Sequence, residues 1–295
     1  MNKQLKGSLA LLGATVIWGS AFVFQSAGMD LIGPLTFQCV RCALAVLLLF
    51  PLTWVFDKLQ GQEADFWKKW KNPILWKVGI PCGAVLFLAA DSQQIGLVYT
   101  DAGKAGFITA MYIVLVPILG ICIGKKPPKT AIISVGIAVL GMYLLSAVGV
   151  AEINVGDLFL MFCALCFAVQ ILLIDRFAAD LDGLRLNCIQ AICVAVMSAP
   201  CAAVFETLDI GNLWACRIPL AFTGFLSMGV AYSLQIIGQK DLEPTRASLI
   251  MSLESVFAAL GGWLILNERM TVWELTGCAL VFSGVIISQL PSKAE

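Results

Sequence analysis

The chain has 295 residues, 60% of them hydrophobic and 13% charged, with a mean hydropathy of +0.91 and a formal net charge of zero. A soluble domain is nearer ~45–50% apolar and ~25% charged, and no soluble interior could bury this excess; the composition therefore defines an integral membrane protein. Charge balance and the absence of histidine remove the usual footprint of nucleic-acid binding and the commonest general base and metal ligand.

A membrane span needs ~20 mostly apolar residues to cross ~30 Å of hydrocarbon. Ten runs are candidates, taken in order: 8–27, 35–56, 75–98, 103–124, 131–148, 157–175, 187–205, 218–238, 246–266 and 272–290. The first follows Lys3 and Lys6 as a signal peptide would, but its apolar stretch continues to about Phe24 and no soluble domain follows, so it is expected to be the first span. Orientation supports the count. With the N-terminus and C-terminus both cytoplasmic, fifteen of the 19 Lys and Arg residues fall on cytoplasmic segments. Lys104, Arg217 and Arg269 alone fall outside, and Arg41 lies within a span; this is the positive-inside pattern.

The eleven cysteines give no framework. Cys39-x-x-Cys42 and Cys163-x-x-Cys166 have metal-like spacing but lack a polar loop or a second ligand pair. They read as small polarizable fillers of helix contacts, and no metal, cofactor or disulfide is expected.

An internal repeat divides the chain into 1–148 and 149–295. The hexapeptide from Gly7 (GSLALL) aligns with that from Gly156 (GDLFLM), which sets Trp18 over Phe167. KAGFITAMYIVLVPILG from Lys104 aligns with RASLIMSLESVFAALGG from Arg246, which sets Tyr112 over Glu254, and Gly141 matches Gly284. Each half then has five spans, and an odd number turns the second half upside down relative to the first. The expected fold is all-α, with ten transmembrane helices as two inverted five-helix repeats, an architecture whose site lies near the midplane between the halves.

WGSAFVF in the first run, YTDAGKAGFITAMYIVLVPILG across the fourth, and AYSLQIIGQKDLEPTRASLIMSLESVFAALGGWLILNE across the eighth and ninth resemble the EamA family of the drug/metabolite transporter superfamily. The resemblance covers essentially the whole chain as two tandem copies. One departure is that Lys125 and Lys126 stand where many relatives carry a Glu after span four. What the resemblance implies is an exporter-type fold that moves small metabolites, often amino acids, without ATP. It also implies a cavity among spans one, three, four, six, eight and nine, with spans five and ten at the periphery, and a bacterial inner-membrane address.

Ionisable residues at the bilayer centre are costly, ~2.5–3.5 kcal/mol on insertion scales, and tend to be functional. Three stand out: Arg41, Asp91 and Glu254. Arg41 and Asp91 sit at matched depth, ~9 Å or so from the outer ends of their runs, and are expected to form a buried charge pair. That pair is open to three readings: a structural clasp, a substrate site, or an Arg41 that snorkels to the interface instead. Glu254 is ~12 Å deep in its run, with no Lys or Arg placed opposite and with Tyr112 as its repeat counterpart. It is either a proton-coupling or cargo-contact group, or a polar rivet between helices.

Trp18, Gln25, Gln93, Gln94, Tyr112, Gln170, Tyr232 and Gln235 are rare guests in lipid-facing positions, and pockets combine aromatic walls with a few placed polar groups. Trp18, Gln25, Gln94, Tyr112, Gln170, Tyr232, Gln235 and Glu254 form the expected substrate site. Gly261, Gly262, Gly277 and Gly284 read as close helix packing. The function that results is a secondary active exporter of amino acids or related zwitterionic or cationic compounds, working as a monomer among membrane lipids and coupled to protons at Glu254. The alternatives are a facilitative organic-cation exporter or uniporter, a channel, and, more distantly, a membrane enzyme. The enzyme lacks convergent acids or metal ligands here, and the sequence has no G-x-x-x-x-G-K-[ST] phosphate loop for a primary pump.

Overall fold

In an environment without water every backbone N–H and C=O must find a partner within the chain, and the helix satisfies them locally. The computed structural model describes residues 3–146, 153–265 and 271–289, and all regular structure among them is helical. The helices are α1 (Lys3–Met29), α2 (Pro34–Leu59), α3 (Phe66–Trp70), α4 (Pro73–Tyr99), α5 (Ala102–Ala110), α6 (Tyr112–Cys122), α7 (Lys129–Ser146), α8 (Val155–Phe177), α9 (Gly183–Phe205), α10 (Ile210–Ala215) and α11 (Arg217–Ala221). After a π-wound segment, Phe222–Ala231, come α12 (Tyr232–Gln239), α13 (Pro244–Met251), α14 (Leu253–Ile265) and α15 (Val272–Gln289).

Eight of the resulting segments are long and apolar enough to cross a membrane, counting Ala102–Cys122 and Arg217–Gln239 as one each; Lys129–Leu145 is a shorter apolar helix. The protein is thus a multi-pass membrane protein. The ninth expected run, 246–266, is not one helix: it breaks at Ser252, as the fourth breaks at Met111. Serine chemistry accounts for the first break. Ser248, Ser252 and Ser255 each donate a hydroxyl hydrogen bond to the carbonyl three residues back, which competes with the helix ladder and bends it. The expected division at 148/149, together with Glu268, Arg269 and Lys293, lies outside the described residues.

Helix starts follow from capping chemistry. Asn72 accepts from Ile74 N ahead of Pro73, Asn154 and Asp157 form a reciprocal capping box, and Glu243 accepts from Thr245 N and Arg246 N ahead of Pro244. α2 has no local side-chain cap. Glu206, just past α9, supplies one from 170 residues away: its two oxygens accept Leu35 N and Thr36 N, each at 2.8 Å.

α1 packs on α12, α14 and the π segment, α2 on α9, and α4 on both α8 and α9. α7 and α15 pack on each other. There a Cβ on Gly277 would stand 2.5 Å from Gly141 O, and one on Gly141 2.7 Å from Gly277 O, so small residues set that approach.

Candidate substrate site

The two helix breaks lie next to the residues that matter most. Tyr112 opens α6 directly after the break at Met111, and Glu254 sits in the first turn of α14, two residues after Ser252. Discontinuous helices at a site are a transporter device, because irregular backbone is tolerated where it borders a cavity. The structure brings the two side chains together: Tyr112 Oη donates to Glu254 Oε1 at 3.0 Å. Glu254 is 6% exposed. Its other oxygen has no partner among the described residues.

The pair forms part of the wall of an interior cavity. From α1 come Trp18, Phe22 and Gln25; from α2, Arg41; from α4, Gln93; from α8, Phe167 and Ile171. Ser227 of the π segment, Tyr232 and Gln235 of α12 and Met251 of α13 complete it. Trp18 meets Tyr232 edge-on, ring centres 5.0 Å apart, and Tyr112 meets Phe167 at 6.4 Å. The free volume is about 40 Å³, room for roughly three waters, and nearly all of the lining side chains are buried. Gly19 is what lets α14 come so near α1. A Cβ there would lie 2.6 Å from Phe257 Cβ, 2.7 Å from Ala258 N and 2.8 Å from Glu254 O.

Of the residues expected at the site, Trp18, Gln25, Tyr112, Tyr232, Gln235 and Glu254 share this cavity wall. Gln94 and Gln170 do not. Gln94 Nε2 turns to α1, 3.4 Å from Gln25 O and 3.1 Å from Met29 Sδ. Gln170 lies one layer back, donating to Gln190 Oε1 and accepting from Gln235 Nε2, both at 3.1 Å. It orients Gln235 instead of facing the cavity.

The expected Arg41–Asp91 contact is also corrected. Arg41 Nη1 donates to Gln25 Oε1 at 2.7 Å, while the Asp91 carboxylate accepts the Ser198 hydroxyl at 3.0 and 2.9 Å. The two feel each other's field without touching. They part because α2 turns Arg41 inward to the cavity whereas α4 turns Asp91 toward α9, beside a separate cleft at the end of α9.

A second feature was not anticipated. Arg185, 1% exposed, pairs with Asp57 and Asp182 and lies over the rings of Phe66 and Trp70, 5.5 and 5.7 Å from their centres. Lys69 Nζ joins Asp57 at 2.7 Å. This network ties α2, α3 and α9 beside a cleft of about 950 Å³. The aromatic cluster FWKKW in an otherwise polar loop, and an Asp57 at the end of an apolar run, were the signals that could have marked it.

On the π segment, the wider winding leaves carbonyls to be satisfied elsewhere. Asn187 of α9 does so, donating Nδ2 to Met228 O (2.9 Å) and Gly229 O (3.0 Å), and also to Ser233 Oγ (2.9 Å).

A buried cavity of mixed aromatic and polar lining inside a multi-pass helical bundle is a geometry that suits a membrane transporter. The model of the EamA-like transporter family matches residues 5–147 and again 154–290, and the chain belongs to that family, within the drug/metabolite transporter superfamily. An uncharacterized transporter of Archaeoglobus fulgidus is 33% identical over 98% of this chain and 87% of its own. The threonine/homoserine exporter RhtA of Escherichia coli is 27% identical over 70% of this chain and 75% of its own. A solved crystal structure superposes with a TM-score of 0.79 over 97% of both chains at 16% identity, a likeness of fold alone.

Proposed function

We propose that the protein is a secondary active exporter of small metabolites of the amino-acid class, working by alternating access around this buried cavity. The observation that carries this is the cavity itself: it is small and buried, it is walled by aromatic and amide side chains from α1, α4, α6, α8 and α12, and it holds a carboxyl group, Glu254, hydrogen-bonded to Tyr112, each residue beside a helix break. The name of the Escherichia coli relative, a threonine/homoserine exporter, supports the substrate class. In this reading the halves 1–148 and 149–295 are inverted five-span repeats that rock about the site. Both termini are cytoplasmic, the membrane is the bacterial inner membrane, one chain completes the pathway, and no bond is made or broken in the cargo. Glu254 binds a proton on one side and releases it on the other.

The test is counterflow in proteoliposomes with a panel of amino acids and organic cations, with and without an imposed pH gradient, for the parent and Glu254→Gln. Loss of gradient-driven transport with exchange retained assigns proton coupling to Glu254. Parental rates in both assays make Glu254 a rivet, and the cargo's own gradient then drives transport. Absence of saturable counterflow for every compound overturns the carrier reading.

A further inference from the structure

Arg41 is 2% exposed and lines the cavity from α2, yet it has no carboxylate within ion-pair distance among the described residues. Its Nη1 is held by Gln25 Oε1, itself a cavity residue, and the ring of Phe37 lies 5.9 Å away on one side. Nε is buried without a hydrogen-bond partner. Asp91, which acts on it through space, is occupied by Ser198. A buried guanidinium without a contacting anion is costly to keep, and its planar fork is suited to grip a carboxylate with two parallel hydrogen bonds.

Among the described residues the same cavity carries one other charged side chain, Glu254, whose Oε1 is held by Tyr112 and whose second oxygen has no partner there. Each charged side chain is thus steadied by one neutral neighbour and keeps capacity for another bond. The Trp18–Tyr232 pair and Phe167 share the wall with them.

We infer that Arg41 is the carboxylate anchor of the substrate site and Glu254 its ammonium acceptor, so that the cargo is an α-amino acid with an uncharged side chain. One fixed cation and one carboxyl group match the two ends of a zwitterion, and the absence of a third charged group among the lining residues leaves nothing to pair a charged side chain. This rests on the transporter reading above and deepens it, since that reading names the amino-acid class but assigns no residue to either charged end of the cargo.

The experiment is counterflow by the full chain in proteoliposomes with neutral L-amino acids, each competed by its own amide, which lacks the carboxylate, and by its deaminated acid, which lacks the ammonium. With the parent protein the amide and the deaminated acid should each compete at least tenfold less well than the amino acid. In Arg41→Gln the amino acid should fall to the level of its amide, whereas Arg41→Lys should keep part of the difference. Should Arg41→Gln fail to fold, the comparison on the parent protein still decides. Equal competition by amino acid and amide on the parent, or discrimination that survives in a folded Arg41→Gln, overturns the inference and leaves Arg41 structural. Exchange of organic cations such as tetraethylammonium but of no amino acid would also overturn it while the transporter reading stands. Exchange of nothing removes both.

Discussion

Gly19→Ala adds a single methyl group at the tightest point between α1 and α14. Ordinary carbon contacts settle at ~3.5–4.0 Å, whereas the new Cβ would meet Phe257 Cβ, Ala258 N and Glu254 O at 2.6–2.8 Å. Two of these three atoms are backbone, so no side-chain rotation relieves the clash and α14 has to retreat by ~1 Å. A retreat of that size takes Glu254 with it and stretches its 3.0 Å bond to Tyr112 to ~4 Å, outside hydrogen-bond range. Overpacking costs ~1–3 kcal/mol and the lost bond ~1 kcal/mol, offset by up to ~1 kcal/mol from the better helix propensity of alanine. The expected outcome is a loss of ~2 kcal/mol, a fall in melting temperature on the order of 5 °C, and counterflow reduced several-fold. Gly13→Ala, on the same helix, is the control, because its Cβ would meet only Leu234 Cδ1 at an ordinary 3.5 Å. Thermal melts in detergent and counterflow in liposomes read both variants. If the two melt together and transport alike, the α1–α14 approach does not position Glu254, and the reasoning fails.

Three further outcomes are expected. Tyr112→Phe keeps the ring contact with Phe167 but removes the bond to Glu254, so it should lower stability by ~1 kcal/mol; an unchanged melt would mean that the bond contributes nothing net. Glu206→Ala leaves Leu35 N and Thr36 N uncapped, at a cost of ~1–2 kcal/mol, with Glu206→Gln retaining part of it; hydrogen exchange at the start of α2 should rise in the same order. Arg185→Met removes the main cation from Asp57, with Lys69 remaining beside it, and should destabilise by ~3 kcal/mol. Adding Asp57→Asn should recover part of that loss, and strictly additive losses in the double-mutant cycle would refute the pairing.

The gathering place of several expected residues was partly legible from aromatic and polar side chains set in apolar runs. Trp18 with Phe167 and Tyr112 with Glu254, matched on sequence alone, all line one cavity. Arg41 was misplaced for a definite reason. Rise per residue fixes how deep a side chain lies, but rotation about the helix axis fixes which neighbour it meets, and α2 and α4 are apolar on nearly every side, so no stripe betrays that rotation. Gln94 and Gln170 lie off the wall for the same reason: both are buried polar residues, and their neighbours Gln93 and Ile171 line the cavity instead. The Arg185 network is built from segments more than a hundred residues apart; FWKKW and Asp57 stand out in the sequence, but nothing local pairs them with Arg185.

The π winding of Phe222–Ala231 has a mechanical consequence. Its hydrogen bonds skip one residue more than those of an α-helix, as in Tyr232 N to Ser227 O, so the segment stores surplus residues against the ratchet of the helix. Returning one of them to α geometry turns everything downstream by ~100°. The first side chains to sweep round are Tyr232 and Gln235, which now form the cavity wall. Asn187 braces this winding, its amide donating to the Met228 and Gly229 carbonyls; a residue returned to α geometry would add ~1.5 Å of rise along with its turn, so rotation of that wall and axial displacement of the helix are coupled.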